Sequence, residues 1–225
     1  MKSATRSASS PFLHTHTAAK SPVGGIPKRG FDIFMALSAL LFLSPIFLML
    51  MALVKFSDGG RIFYGHSRVG HGGRPFRCLK FRTMREDGDR ILEEYLENNP
   101  SAYEEWRAAR KLQNDPRVTT VGGVLRKLSL DELPQLINII RGEMSVVGPR
   151  PVVEDELELY DVAAQYYLHS RPGLTGLWQV SGRNDVSYES RVALDSHYVQ
   201  NWSLMTDIKI IGLTVPAVCL SRGSY

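Results

Sequence analysis

Two adjacent carboxylates, Asp131 and Glu132, lie where the sequence pattern predicts the start of a helix. Apolar residues then recur at helical spacing up to Ile140, and Gly142 is a typical helix terminator. Asp131 can act as the N-cap, while Ser129 with Glu132 offers a competing capping box. Either register places both carboxylates at the positive end of a helix dipole, which favours their ionised forms and the binding of phosphate groups.

Basic residues surround the carboxylate pair on both sides in the sequence. Arg117, Arg126 and Lys127 precede the pair, and Arg150 follows it within the segment 148–151. A carboxylate that attacks a diphosphate as a nucleophile needs cations that offset the negative charge of both partners. The pair therefore has two interpretations, either ordinary acidic residues at a helix start or catalytic groups in a phosphate-binding site.

A predicted β-hairpin over residues 61–83 supplies further cations. Strand-like runs over 62–64 and 76–83 flank a glycine-rich turn at 71–74. Strand alternation places Lys80 and Arg82 on the same face of the second strand. That face is either a solvated basic surface or a second group of phosphate-binding cations.

The segment from Ile33 to Val54 contains no charged residue and exceeds the length of about 20 residues that spans a bilayer. A plain spanning helix is one interpretation. Pro45 favours another, because it removes a backbone donor and predicts a break or bend, while Ser44 can satisfy the freed carbonyl. Basic residues also occur on both flanks, so the positive-inside rule is satisfied outright if both ends are cytoplasmic. We therefore predict a re-entrant helix that enters one leaflet and returns.

The chain divides into three predicted regions. Residues 1–27 are rich in small and polar residues and are predicted to be a disordered tail, and residues 28–57 form the re-entrant membrane helix. Residues 58–225 form one compact cytosolic catalytic domain. Near the start of the membrane helix, Asp32 is expected to pair with Lys28 or Arg29 one turn earlier.

The fold class that these patterns predict is α+β and mostly helical, with one small β-hairpin. An apolar segment over 208–220 contains Lys209 and Pro216 and is too short to span a bilayer, so it suits an interfacial helix. The 225 residues carry a formal charge of +4, which fits phosphate substrates or anionic lipid. Cys78 and Cys219 form no motif, no set of residues has the spacing of a metal site, and no nucleic-acid-binding motif is present.

In combination, these features resemble the bacterial sugar transferase family, the monotopic phosphoglycosyl transferases or polyprenyl-phosphate hexose-1-phosphate transferases. The resemblance covers about residue 27 to the C-terminus, and the compact form is similar to galactosyl-phosphate transferases that initiate exopolysaccharides. The matching elements are Lys28-Arg29, Phe31-Asp32, Ser44-Pro45 and the segments 80–84, 115–117, 126–138, 142–151 and 171–183.

The resemblance implies a two-step mechanism at the inner membrane of a bacterium, with the catalytic domain on the cytoplasmic face. Asp131 would attack the β-phosphate of a UDP-sugar, release UMP and form a phosphosugar–aspartyl intermediate. Undecaprenyl phosphate would then attack that intermediate to give the lipid diphosphate-sugar. Asp131 and Glu132 would hold Mg²⁺, or Glu132 would handle a proton.

The resemblance also implies which side chains bind substrate. Lys80, Arg126 and Arg150 match functional cations of the family, and strand alternation adds Arg82. The expected partners are a UDP-sugar, undecaprenyl phosphate and membrane lipids but no nucleic acid, and a homo-oligomer is left open. The hexose is expected to be galactose.

Two other functions remain open. A one-step glycosyltransferase would move the sugar alone onto a lipid and release UDP, although the chain has no glycine-rich nucleotide fingerprint between a strand and a helix. A non-catalytic scaffold for polysaccharide assembly would dock on the membrane through its basic surface. That second alternative leaves the cations around Asp131 and Glu132 unexplained.

Overall fold

The computed structural model describes residues 21–182 and 187–219. Its first element is a long helix, α1 (Gly25–Asp58), which ends at Gly59 in the left-handed conformation. The tail predicted over 1–27 is therefore wrong at its C-terminal boundary, because residues 25–27 are helical; residues 1–20 lie outside the described residues. Within the described ranges, α1 is the one helix long and apolar enough to cross a membrane.

Helix α1 continues through Pro45 as one helix, so the predicted break at Ser44 and Pro45 is wrong, and a bend there stays a prediction. Proline provides no N–H for the carbonyl four residues earlier, which is that of Leu41. The hydroxyl of Ser44 donates to this carbonyl over 2.8 Å, as the Ser-Pro pattern predicts. The Ser-Pro pair thus replaces one backbone hydrogen bond by a side-chain bond inside the apolar segment.

The predicted hairpin is confirmed, with strands β1 (Phe63–Val69) and β2 (Pro75–Phe81) joined by a 3₁₀ turn at His71–Gly73. The strands are antiparallel, and the register pairs Tyr64 with Lys80. Phe81 at the end of β2 lies 5.1 Å from Phe47 of α1, measured between ring centroids. This contact joins the hairpin to the membrane helix.

Four helices follow the hairpin: α2 (Gly88–Asn98), α3 (Pro100–Ala109), α4 (Thr120–Lys127) and α5 (Gln135–Arg141). Thr119 caps α4, because its hydroxyl accepts the N–H of Gly122 over 2.9 Å. Gly142 ends α5 in the left-handed conformation, as predicted from its position.

The C-terminal part contains two short parallel strands and five helices within its described residues. The strands are β3 (Ser145–Val147) and β4 (Gly173–Thr175). The helices are α6 (Glu154–Glu158), α7 (Ala164–Leu168), α8 (Leu177–Val180), α9 (Tyr188–Gln200) and α10 (Leu204–Cys219). Helix α10 contains residues 208–219 of the apolar segment predicted to be interfacial, and residue 220 lies outside the described residues. The fold is α+β and mostly helical, which confirms the predicted class.

Both ends of α1 pack against the same domain. Ala36 near the N-terminal end joins a buried cluster that includes Ile139 and Tyr198, whereas Leu50 and Val54 join a second cluster with Phe81 and Leu125. Between these contacts α1 exposes large apolar side chains, among them Leu37, Leu41, Phe42, Ile46 and Leu48.

The expected pairing of Asp32 with Lys28 or Arg29 is wrong. Asp32 accepts hydrogen bonds from the Ser145 hydroxyl and the Val146 N–H instead. Lys28 forms an ion pair with Asp207 of α10 over 2.7 Å. The guanidinium of Arg29 donates to two carbonyls at the C-terminal end of α5, those of Ile139 and Ile140. Tertiary partners thus replace the local pairs that helical spacing predicts.

Candidate active site

Asp131 and Glu132 lie in a 3₁₀ turn (Leu130–Glu132) that precedes α5, so the predicted helix start at Asp131 is wrong. Ser129 has a positive φ of 55° and its side chain makes no cap bond, and α5 begins only at Gln135. Neither of the two predicted cap arrangements forms. The carboxylates consequently do not occupy the N-terminal positions of α5, where a helix dipole would act on them.

Lys80 brings the hairpin and the carboxylate turn together. Its ammonium nitrogen lies 2.6 Å from Oε1 of Glu132 and 3.6 Å from Oδ2 of Asp131. The side chain of Asp131 is only 12% exposed, whereas that of Glu132 is 38% exposed. The structure therefore brings three of the predicted site residues together. Of the two carboxylates, that of Asp131 is buried and that of Glu132 is accessible.

Burial raises the pKa of Asp131 above its ordinary value, and the charge of Glu132 adds to this shift. The cations Lys80 and Arg126 oppose it without reversing it. The expectation that the position itself favours the ionised form is thus wrong for Asp131. For Lys80, burial would lower the pKa, but Glu132 and Asp131 outweigh burial and the net pKa is raised. Lys80 is accordingly a fixed cation beside Asp131.

Arg126 reaches the site from the last turn of α4. Its Nε donates to the hydroxyl of the buried Thr83 over 2.9 Å, just beyond the end of β2. Helix α4 can approach this segment because Gly122 has no side chain, and a Cβ there would collide with the carbonyl group of Thr83. A side chain at this position would push α4 away. Gly122 therefore sets the distance between α4, which carries Arg126, and the segment that follows β2.

An open cavity of about 2160 Å³ lies in front of the carboxylate turn. Its wall includes five of the predicted site residues, namely Lys80, Arg82, Arg126, Asp131 and Glu132. Further basic residues of the wall are Arg61, Arg77, Arg85, Lys111, Arg117 and Lys127. This wall is rich in the cations that an anionic substrate requires. Four of these basic residues were not predicted as site residues, because isolated basic residues give no signal until the fold brings them together: Arg61, Arg77, Arg85 and Lys111.

Arg82 lies at the edge of the cavity and contacts the membrane helix. Its guanidinium forms ion pairs with Asp58, the last residue of α1, and with Glu86. It is therefore held by carboxylates of the protein itself, and the structure does not bring it to Asp131. The assignment of Arg82 to substrate binding stays a prediction.

Arg150 is not among the residues that line this cavity. Its guanidinium carbon lies 5.5 Å from the ring centroid of Trp178, and its backbone N–H donates to the buried carboxylate of Asp195. Arg150 is nevertheless close enough to Cys78 of β2 to influence the electrostatics there. Its predicted role in substrate binding stays a prediction.

The carboxylate pair is the magnesium site predicted from the sequence, and carboxylate oxygens are ligands that Mg²⁺ prefers. Mg²⁺ is usually bound by one or two carboxylates together with substrate phosphates, and it does not need a complete cage of protein ligands. Among the described residues there is no group of three or more His, Cys, Asp or Glu side chains that could hold a metal. Asp131 and Glu132 alone would thus supply the protein's carboxylates, and phosphate oxygens the rest.

Comparison with known proteins identifies the class to which this fold and site belong. The family model of the bacterial sugar transferases matches residues 23–221. The chain therefore belongs to the bacterial sugar transferase family, which confirms the resemblance noted from its motifs.

The chain is also similar to individual proteins over most or all of its length. The chain is 73% identical over 226 residues to the exopolysaccharide production protein ExoY of Rhizobium meliloti and 71% identical to ExoY of Sinorhizobium fredii, with 100% of each chain covered. It is also 52% identical over 198 residues to an undecaprenyl-phosphate galactose phosphotransferase of Salmonella typhimurium, covering 88% of this chain but 41% of that protein.

Proposed function

We propose that this chain transfers a hexose 1-phosphate, with galactose as the hexose, from a UDP-sugar to undecaprenyl phosphate. The reaction would be the first membrane step of exopolysaccharide biosynthesis. The observation that carries the proposal is the buried carboxylate of Asp131 beside the ammonium group of Lys80 and next to Glu132. The names of the ExoY relatives and of the galactose phosphotransferase support the pathway and the sugar.

In the first step, a carboxylate oxygen of Asp131 attacks the β-phosphorus of the UDP-sugar. A bond forms between this oxygen and phosphorus, and the bond from phosphorus to the bridging oxygen breaks, so that UMP leaves with that oxygen. In the second step, a phosphate oxygen of undecaprenyl phosphate attacks the same phosphorus and releases the Asp131 carboxylate. Covalent catalysis divides one transfer between two bulky anions into two separate displacements.

The cations of the site suit both steps. Lys80 offsets the charge of the Asp131 carboxylate, and Arg126 approaches from α4 on the same cavity wall. Fixed positive groups that need no reorganisation stabilise the charge that develops on transferred phosphoryl oxygens. Asp131 and Glu132 would hold Mg²⁺, which when bound offsets diphosphate charge and orients the leaving group.

The exposed apolar surface of α1 supports a location at the membrane. Helix α10 adds Leu204, Met205, Ile208 and Leu213 to the exposed apolar side chains. Apolar surface of this extent is typical of a membrane-binding region. Because both ends of α1 contact the same domain, we infer that the helix re-enters one leaflet and that the domain lies on the cytoplasmic side.

The proposal is tested by incubating the purified protein in detergent with UDP-galactose, undecaprenyl phosphate and Mg²⁺ and by identifying the released nucleotide. UMP release that is abolished in Asp131→Asn is expected. UDP release would instead indicate one-step glycosyl transfer. Full activity in Asp131→Asn would remove Asp131 as the nucleophile, and no release from any UDP-hexose would favour a scaffold. UDP-glucose and UDP-N-acetylglucosamine serve as controls for the choice of hexose.

A further inference from the structure

The side chain of Asn138 is completely buried, although it lies in the middle of the apolar helix α5. A buried amide is costly unless its polar atoms are hydrogen-bonded. Here Oδ1 accepts the N–H of Leu79 over 2.9 Å, and Nδ2 donates to the carbonyl of Arg77 over 2.8 Å and to Oε2 of Glu143 over 2.6 Å. Both polar atoms of the amide are thus satisfied, and two of the three bonds go to the backbone of β2.

These two bonds occupy the edge of β2 that faces away from β1. The hairpin sheet has two strands, so this edge has no neighbouring strand among the described residues. The carbonyl of Arg77 and the N–H of Leu79 are two residues apart, the pattern that a third strand would pair. The amide of Asn138 takes the place of a peptide group from that strand.

The junction lies directly beside the proposed catalytic residues. Lys80 is the next residue after Leu79, and Asp131 lies in the turn that precedes α5. Asn138 therefore connects the backbone that carries the cation to the helix that follows the carboxylate. A small shift of β2 along α5 would change the 3.6 Å distance between the Lys80 ammonium and Oδ2 of Asp131.

Glu143 and the backbone of β2 together determine which way the amide of Asn138 points. An ionised carboxylate only accepts hydrogen bonds, so the neighbour of Glu143 Oε2 must be the NH₂ group of the amide. This orientation presents Oδ1 to the N–H of Leu79. A flipped amide would place two acceptors against each other at both Glu143 and Arg77.

We propose that Asn138 is a positioning residue that, together with Glu143, fixes the distance between the Lys80 ammonium and the Asp131 carboxylate. This role rests on the proposed function of Asp131 as the nucleophile, but the junction itself is independent of the reaction. Nothing in the geometry places Asn138 in contact with substrate, because its side chain is completely buried.

Asn138→Asp is the most direct test, since it keeps the shape and removes both donors. The new carboxylate would face the Arg77 carbonyl and Glu143, so β2 should separate from α5 and Lys80 should move away from Asp131. We expect kcat to fall roughly tenfold or more, with a smaller change in KM for the UDP-sugar. Amide hydrogen exchange at Leu79 should become faster, because its N–H is no longer held against the side chain at position 138.

The double variant Asn138→Asp with Glu143→Gln provides the rescue. The amide introduced at position 143 can donate to the carboxylate introduced at position 138, which still accepts the N–H of Leu79. Part of the lost kcat should return and exchange at Leu79 should slow, although the carbonyl of Arg77 still faces an acceptor. Asn98→Asp at an exposed site introduces the same charge and should change neither quantity. If Asn138→Asp does not fold, Glu143→Leu removes one partner of the amide and should lower kcat and speed exchange at Leu79 by smaller factors.

Amide hydrogen exchange of Leu79, followed by NMR at one pH, gives a readout that does not require activity, because the Leu79 N–H donates to Asn138. We expect this exchange to be faster in Asn138→Asp than in the wild type and slower again in the double variant. Absence of UMP release by the wild type would contradict the proposed function, and exchange at Leu79 would then test the junction on its own. Unchanged kcat and unchanged exchange in a folded Asn138→Asp protein, or a double variant no better than the single one, would overturn the positioning role.

Discussion

Lys28 and Asp207 form a buried ion pair, with 2.7 Å between Nζ and Oδ2, that joins the first helix to the last described one. The Asp207 carboxylate also accepts the hydroxyl of Tyr198 over 2.6 Å and the indole N–H of Trp202 over 3.1 Å. The pair therefore holds the N-terminal end of α1 against α10. Its partners lie far apart in the sequence, so no local pattern could have revealed it.

Replacing Lys28 by Met should destabilise the protein by about 3–5 kcal/mol, because an uncompensated carboxylate would remain buried. The double variant Lys28→Met with Asp207→Leu should recover most of this loss, since no buried charge is then left without a partner. Denaturant unfolding in detergent, followed by circular dichroism, measures both. Equal stability of Lys28→Met and the wild type would contradict the buried pair.

The pH profile of kcat tests the role of Lys80. Only the ionised Asp131 is a nucleophile, so activity should fall as the pH drops through its pKa, which burial raises above the ordinary value. Lys80 is the strongest influence that lowers this pKa. Lys80→Met should therefore move the acid limb to still higher pH and reduce kcat by roughly 100-fold.

The matched control for Lys80 is Arg90→Met, which removes one positive charge from an exposed residue of α2 paired with Asp87 and Glu94. It should leave the acid limb in place. An acid limb of Lys80→Met at the same or a lower pH than in the wild type would show that Lys80 does not act on Asp131.

Labelling of introduced cysteines tests the re-entrant arrangement of α1. Ile26 and Phe56 lie near opposite ends of the helix and are 87% and 86% exposed, so cysteines there should be reachable. In a background with both native cysteines replaced by serine, an impermeant maleimide should label both positions in inverted membrane vesicles and neither in intact spheroplasts. Labelling of the two positions from opposite sides would establish a spanning helix.

Asp195 should make stability depend on pH. Burial raises the pKa of Asp195 to about 7, although hydrogen bonds from the Tyr160 hydroxyl and the backbone N–H of Arg150 act to lower it. The contribution of Asp195 to the free energy of unfolding is fully present below the pKa that this carboxyl has in the unfolded chain. It is lost as the pH rises through about 7. Asp195→Asn should consequently remove part of the decrease in melting temperature between pH 5 and pH 8.

The exposed Asp155 supplies the control for this measurement, because Asp155→Asn should leave the pH dependence of the melting temperature unchanged. The same decrease in Asp195→Asn as in the wild type would show that Asp195 does not cause it.

Local patterns predicted the elements well but not their junctions. Alternation along β2 placed Lys80 correctly, because the two-residue period of a strand depends on little beyond its neighbours. The start of α5 was wrong because Ser129 adopts a positive φ and the chain enters a 3₁₀ turn, which acidic residues alone do not reveal. Helical spacing within α1 also predicts local ion-pair partners for Asp32, whereas in the structure its carboxylate accepts hydrogen bonds from Ser145 and Val146.

The sequence alone does not indicate the hydrogen bonds that Asn138 makes beside the candidate site. Its only local signal is one amide on the apolar side of a short helix between Leu136 and Ile139, and such a residue has many possible partners. Its bonds to Arg77 and Leu79 join positions far apart in the chain, with separations of 61 and 59 residues. Only the folded chain identifies this residue as a link between the cation and the carboxylate.

The ion pair between Lys28 and Asp207 also has a consequence for biosynthesis. The ribosome incorporates Lys28 179 residues before its partner. At about 5–20 residues per second, the interval is roughly 10–40 seconds. During translation the apolar helix therefore reaches the bilayer while only water and lipid headgroups can solvate the ammonium group of Lys28. The ion pair that holds α1 to the rest of the domain can form only after Asp207 has been synthesised.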